Sequence, residues 1–97
     1  MSSLSAPETA VAIRHDGTRF LASVDGVQAH LDYRLEGARM LITHTSVPEA
    51  IAGQGIAGKL TRAAFEHARA QCWKVTPACA YAAGWAERHP EYAPLLA

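Results

Sequence analysis

The sequence predicts an α+β domain: a four-stranded antiparallel meander, then a helix, a fifth strand parallel to the fourth, and a short C-terminal helix. Three observations carry this expectation. Asp16-Gly17, Asp25-Gly26 and Glu36-Gly37 divide the first half of the chain into short runs at hairpin spacing. The run from Val27 alternates cleanly, with Val27, Ala29, Leu31, Tyr33 and Leu35 on one face and Gln28, His30, Asp32 and Arg34 on the other. After Pro48 the apolar period changes to that of a helix, with Leu60, Ala64, Ala68 and Cys72 four apart.

Residues 1–9 are small and polar and are expected to form a flexible tail, ahead of a single domain over 10–97. Strands are expected at Val11–His15, Phe20–Val24, Val27–Leu35 and Arg39–Val47. Pro48 closes the fourth, because proline has no N–H to give to a ladder. The helix should run from about Gly55 to Trp73, with Ile56, Ala57 and Ala63 beside its apolar row and Cys72 in the core. Lys74–Pro77 reads as the fifth strand and Tyr81–His89 as the second helix, stopped at Pro90. Tyr92, Leu95 and Leu96 should pack the C-terminal end. If the fifth strand lies beside the fourth, the helix between them is a crossover and the two strands are parallel.

With 97 residues, 49% of them hydrophobic and 19% charged, the chain can bury one core. Nine basic and nine acidic side chains cancel, which argues against nucleic acid or an anionic membrane as the main partner. No apolar run is long enough to span a bilayer, and Met1–Glu8 lacks the basic start and apolar centre of a signal peptide, so a cytoplasmic place is expected. Two cysteines in a reducing compartment argue against a structural disulfide, and the five histidines show no metal-ligand spacing.

The densest information lies in Val47–Leu60, which reads Val-Pro-Glu-Ala-Ile-Ala-Gly-Gln-Gly-Ile-Ala-Gly-Lys-Leu. Gly53, Gly55 and Gly58 surround the expected helix start. Glycine admits a close-lying ligand, and the first helical turn offers unpaired N–H groups and partial positive charge. Together these suit a phosphate or pyrophosphate. The segment lacks the Gly-Lys-Ser/Thr ending of the nucleotide-hydrolase loop, and it follows a meander, unlike the dinucleotide fingerprint. Glycines that serve only the strand-to-helix turn are the plain alternative.

This segment, with Ala63, Ala64 and Ala68, resembles the acetyl-CoA loop and helix of the GNAT N-acetyltransferase superfamily. That signature is Arg/Gln-x-x-Gly-x-Gly/Ala, here Ala52-Gly53-Gln54-Gly55-Ile56-Ala57. Pro77-Ala78-Cys79-Ala80-Tyr81 and His89-Pro90-Glu91-Tyr92 are similar to the small, single-domain YjdJ-type group. The resemblance implies a GNAT-like fold and acetyl-CoA as cofactor, held at Gly53, Gln54, Gly55, Ile56, Ala57, Gly58 and Lys59, with Thr45, Ser46 and Val47 along the pantetheine arm. The first signature position carries Ala52 in place of Arg or Gln, and Lys59 is the nearest replacement charge.

The implied reaction moves acetyl to an amine, with catalytic candidates Cys79, Tyr81 and His44. Cys79 is either a nucleophile that passes through an acetyl-cysteine or a small core residue. Tyr81 either protonates the departing thiolate or packs as a core aromatic. His44, a candidate base, is expected on the same face as Met40 and Ile42. Only Asp16-Gly17-Thr18 separates the first two strands, where family members carry helices over the acceptor site. An open acceptor face favours a protein amine or a polyamine, with the chain a monomer or homodimer. The competing class is a non-catalytic CoA-binding or interaction module.

Overall fold

Five strands cross one sheet in sequence order: β1 (Ala12–Asp16), β2 (Arg19–Val24), β3 (Val27–Glu36), β4 (Arg39–Ser46) and β5 (Lys74–Pro77). The computed structural model describes residues 12–97; the expected tail at 1–9 and Val11, the expected start of the first strand, lie outside them. β1 to β4 pair antiparallel, and β4 pairs parallel with β5 through the crossover helix α1 (Ile56–Ala70). A second helix, α2 (Ala80–Arg88), and a 3-10 segment at Pro90–Leu95 complete the chain. The C-terminus returns to β5, where the Ala97 N–H donates to the Val75 carbonyl at 3.0 Å.

Turn chemistry sets the meander. Asp25 and Gly26 both have positive φ (51° and 79°), the condition that Asp-Gly satisfies at low cost in a two-residue hairpin. At the other two turns the glycine opens the loop, since Asp16 and Glu36 are still paired in their strands.

One face of the sheet is covered. Phe20, Leu31, Tyr33, Met40, Ile42 and Val75 meet Leu60, Ala64, Phe65 and Ala68 of α1 in a single cluster. α2 joins that cluster through Ala82, Trp85 and Ala86, with the Trp85 and Phe65 rings 5.2 Å apart, so both helices lie on the same side. Alternation places Ala29, Leu31 and Tyr33 in this core as expected, whereas Leu35, at the end of β3, is 42% exposed. The other face is more polar, with Arg19 paired to Asp32 and Glu36 bridging Arg34 and Arg39, beside Leu21 and Leu41.

α1 ends earlier than its periodicity suggests. Cys72, expected in the core, is exposed and has φ 62°. It is the left-handed residue of a Schellman motif: its own N–H donates to Arg69, and the Trp73 N–H reaches back to Ala68 at 2.8 Å. The chain reverses here to enter β5 two residues later, which removes Cys72 from the helical face. Cys72 and Cys79 are both free thiols.

β4 carries an irregularity with consequences for the site. Asp32 and Tyr33 face His44 and Ile42, so Thr43 is an extra residue on β4, a β-bulge. Side-chain parity therefore inverts after Ile42. Thr45 lies opposite Leu31 on the covered face, and His44 lies opposite Asp32 on the open one. The expected placement of His44 with Met40 and Ile42 is corrected accordingly; strict alternation fails wherever one strand holds an unpaired residue.

Candidate active site

β4 and β5 part company after Ile42 and Pro77. The Ile42 carbonyl accepts both the Ala78 and Cys79 N–H groups, at 2.9 and 3.1 Å, and β5 then turns away into α2. β4 continues to Ser46 with no ladder partner on that side among the described residues. The result is a cleft between diverging strands, with a free backbone edge along its β4 wall.

At the cleft, Cys79 caps α2. Its Sγ accepts the Ala82 N–H at 3.4 Å and lies 3.6 Å from Thr45 Oγ1. The bulge makes this contact possible, because it turns Thr45 toward the helices. Tyr81, in the first turn of α2, is 37% exposed, and its hydroxyl lies 3.5 Å from where a Cβ on Gly58 would stand.

Above the cleft is the glycine loop. Pro48 leads into a 3-10 turn at Glu49–Ile51, whose Ile51 is buried and ties the loop to the core. Gly53 and Gly55 follow with φ of 83° and 75°. That backbone alone demands glycine at both positions. Their surroundings add a second fact: a Cβ at either would meet no protein atom within 4 Å. The space in front of them belongs to a cavity of about 240 Å³ bounded by Val47, Ala52, the loop glycines, Ala57 and Tyr81. Gly55 begins α1 with no side-chain cap and no acidic residue in the first turn, so the first N–H groups of the helix are left for a ligand. Ile56 is buried, and its side chain belongs to the core while its N–H belongs to this turn. Gln54 is exposed, and Ser46 lies at the end of β4.

A second, larger cavity of about 550 Å³ adjoins the first and shares Gly55 and Gly58 with it. Lys59 lines it, together with residues the sequence alone did not single out for the site: Arg62, Trp85 and His89. His89 stacks on Trp85 at 3.9 Å, and the Arg62 guanidinium lies 5.5 Å from the Trp85 ring centre. Tyr92, buried beneath, accepts a hydrogen bond from Arg62 at 2.9 Å and donates one to the Glu66 carboxylate. Burial, and then the bond to Glu66, push the Tyr92 phenol above its ordinary pKa. The one local sequence signal for this group was the spacing of Lys59 and Arg62, one helical turn apart.

On the opposite face, His44 and His30 have ring centres 5.7 Å apart, and His30 Nε2 lies 3.7 Å from Asp32. The Arg19 guanidinium, hydrogen-bonded to Asp32, holds that carboxyl below its usual range, and His30 and His44 act in the same direction. Neither helix covers His44, which is exposed. The structure thus gathers Thr45, Cys79 and Tyr81 on one side of the cleft and sets His44 on the other. Among the described residues no group of three metal-ligating side chains occurs, and no helix is long and apolar enough to cross a membrane.

Two comparisons with known proteins agree with this arrangement. Residues 19–95 match the family described as GCN5-related N-acetyl-transferase. The solution structure of a GCN5-like protein from Staphylococcus aureus superposes with a TM-score of 0.72 at 28% identity, covering 89% of this chain and 87% of that one. Neither comparison separates the YjdJ-type group from the rest of the family.

Proposed function

This chain belongs to the GCN5-related N-acetyltransferase family, and is an acyltransferase by that membership; we propose that it moves an acetyl group from acetyl-CoA to an amine. The observation that carries the reading is the cleft between β4 and β5, which runs from the glycine loop to Thr45 and Cys79. The residues present fit the cofactor. Two open, positive-φ glycines and an uncapped helix start suit a pyrophosphate, and Lys59 supplies a cation where Ala52 supplies none. The free edge of β4 at Thr45–Val47 suits the amide-bearing arm in the manner of an added strand. Acetyl-CoA supplies a thioester as the acyl donor.

The chain's own groups then divide the work. His44, on the open face, takes the proton from the incoming ammonium, which must be neutral to attack. The Asp32 carboxylate beside it, kept ionised by Arg19, favours a positively charged partner on that face. Cys79 and Tyr81 stand on the thioester side. Tyr81, an exposed residue, carries a hydroxyl that can return a proton to the leaving sulfur, and Cys79, with Sγ already accepting an N–H, orients the start of α2. We take direct attack by the amine as the route; the N–H that Cys79 Sγ accepts at the start of α2 would also suit a thiolate, and an acetyl adduct on Cys79 in intact-mass measurement would replace direct attack with the covalent route. The open sheet face and the two-residue β1–β2 turn favour a protein amine or a polyamine as acceptor. Residues 10–97 form the acting domain in this reading, and two free thiols suit the cytoplasm.

The test is calorimetric titration with acetyl-CoA, followed by assay of free CoA thiol in the presence of a lysine peptide or a polyamine. Saturable binding and amine-dependent thiol release are expected, and His44→Gln should lower the release rate about 10²-fold or more with little change in binding. Binding without release over many amines would point to a non-catalytic CoA module. No binding would remove the cofactor from the reading.

A further inference from the structure

We propose that the larger cavity reads the ribose 3′-phosphate of the nucleotide, so that this protein discriminates CoA from its 3′-dephospho form, with Arg62 as the reader and Tyr92 as the residue that positions it. The inference rests on the acetyl-CoA reading above and adds a specificity determinant to it.

The two cavities meet at Gly55 and Gly58, so a molecule whose pyrophosphate lies against the glycine loop extends into the larger space. Backbone N–H groups meet the pyrophosphate; a second, dianionic phosphate needs side-chain cations. The larger cavity offers Lys59, Arg62 and His89, and among the described residues no carboxylate lines it. Among the described residues neither Lys59 nor Arg62 forms an ion pair, whereas Arg19, Arg34, Arg39 and Arg69 each do. The place of Lys59 on α1 is also unfavourable for the helix itself. The first turn has no acidic residue, and a lysine there opposes the macrodipole, an arrangement that an anionic ligand would relieve.

Arg62 is held in place rather than left as a surface cation. One Nη1 hydrogen bond goes to the buried Tyr92 hydroxyl, and the guanidinium lies over the Trp85 and Tyr92 rings at 5.5 and 5.6 Å. Tyr92 is fixed in turn by its bond to Glu66. A guanidinium anchored by one N–H keeps others free in a planar fork, the geometry that suits a phosphate. Tyr92 thus acts through Arg62, from the far end of the chain.

Calorimetry with CoA and with 3′-dephospho-CoA tests this on the wild type, Arg62→Gln and Tyr92→Phe. The wild type should bind CoA about 10- to 100-fold more tightly than the dephospho form, as expected for charge-assisted hydrogen bonds. Arg62→Gln should collapse that ratio while leaving dephospho-CoA binding nearly unchanged, which also shows that the variant is folded. Tyr92→Phe should give an intermediate ratio. Equal wild-type affinity for the two ligands, or an Arg62→Gln variant that weakens both alike, overturns the assignment. An unchanged ratio in Tyr92→Phe removes Tyr92 from it. If neither ligand binds, the acetyl-CoA reading fails and the assignment falls with it.

Discussion

The two halves of this molecule are built on different terms. In β1 to β3 every device is regular: two-residue turns, alternating side chains and an unbroken register. From β4 onward regularity is interrupted repeatedly, by the bulge at Thr43, the positive-φ glycines at 53 and 55, the left-handed Cys72 and the parting of β4 from β5. The first half gives α1 a flat apolar surface. The second half uses that support to hold an open edge, a cradle of N–H groups and two cavities. Apart from Cys72, at the far end of α1, these departures collect where a ligand is expected, as they do when a rigid scaffold sustains a site that would not hold its shape alone.

That contrast can be broken most severely in the regular half. Leu31 is fully buried opposite Phe20 and Thr45, and Leu31→Ala should cost about 2–5 kcal/mol in denaturant unfolding. Loss of CoA affinity out of proportion to the unfolded fraction would contradict the division of labour. In the irregular half, Gly55→Val should cost about 1–2 kcal/mol, because a β-branched residue is forced to φ 75°, yet it should abolish CoA binding in calorimetry under conditions where circular dichroism shows a folded protein. Binding that survives would leave the loop as a turn and nothing more.

Two smaller effects sharpen the comparison. Gly58 lies inside α1 with ordinary helical φ, and a Cβ there would rest 3.5 Å from both Tyr81 and Trp85. Gly58→Ala should therefore raise stability by up to about 1 kcal/mol while weakening CoA binding at the junction of the cavities. A gain in stability with unchanged binding would mean that the junction carries no ligand. Cys72→Gly, at φ 62°, should stabilise by about 0.5–1 kcal/mol, the relief of left-handed strain less the added freedom of the unfolded chain, and should leave binding untouched.

The smallest effect lies where the halves meet. His15 stacks on Phe20 at 4.2 Å and bonds the Tyr33 hydroxyl, and His67 of α1 meets His15 edge-on at 4.4 Å. Burial, and then the charge of His15, hold His67 below its usual pKa of 6.5. The unfolded chain therefore takes up a proton first. Stability should be level above about pH 6.5, fall as pH drops through 6.5 toward the folded pKa, and level again below it. Asp32 and Glu36, whose pKa values are lowered by their arginine partners, contribute only at more acid pH. Denaturant midpoints at pH 7.5 and 5.5 measure the drop, and a His67→Gln variant with the same drop would assign it elsewhere.

The sequence alone determined the order of elements, the meander and the glycine loop, because each is written locally, whereas the crossover awaited the pairing of β5 beside β4. Turn pairs demand positive φ, periodicity distinguishes strand from helix, and Pro48 ends a strand wherever it stands. It also carried the likeness on which the family rests. Tertiary structure decided what depends on two distant segments at once. The side of the sheet that His44 faces was settled by the register of β4 against β3, since a single unpaired residue inverts all that follow. Cys72 left the core because α1 must release the chain into β5, a constraint absent from the helical period. Arg62, Trp85 and Tyr92 came together only when α2 and the C-terminal segment packed against α1, over a sequence separation of 30 residues for the Arg62–Tyr92 bond. No local pattern encodes such a meeting, because its free energy comes from burying side chains that are strangers in the unfolded chain.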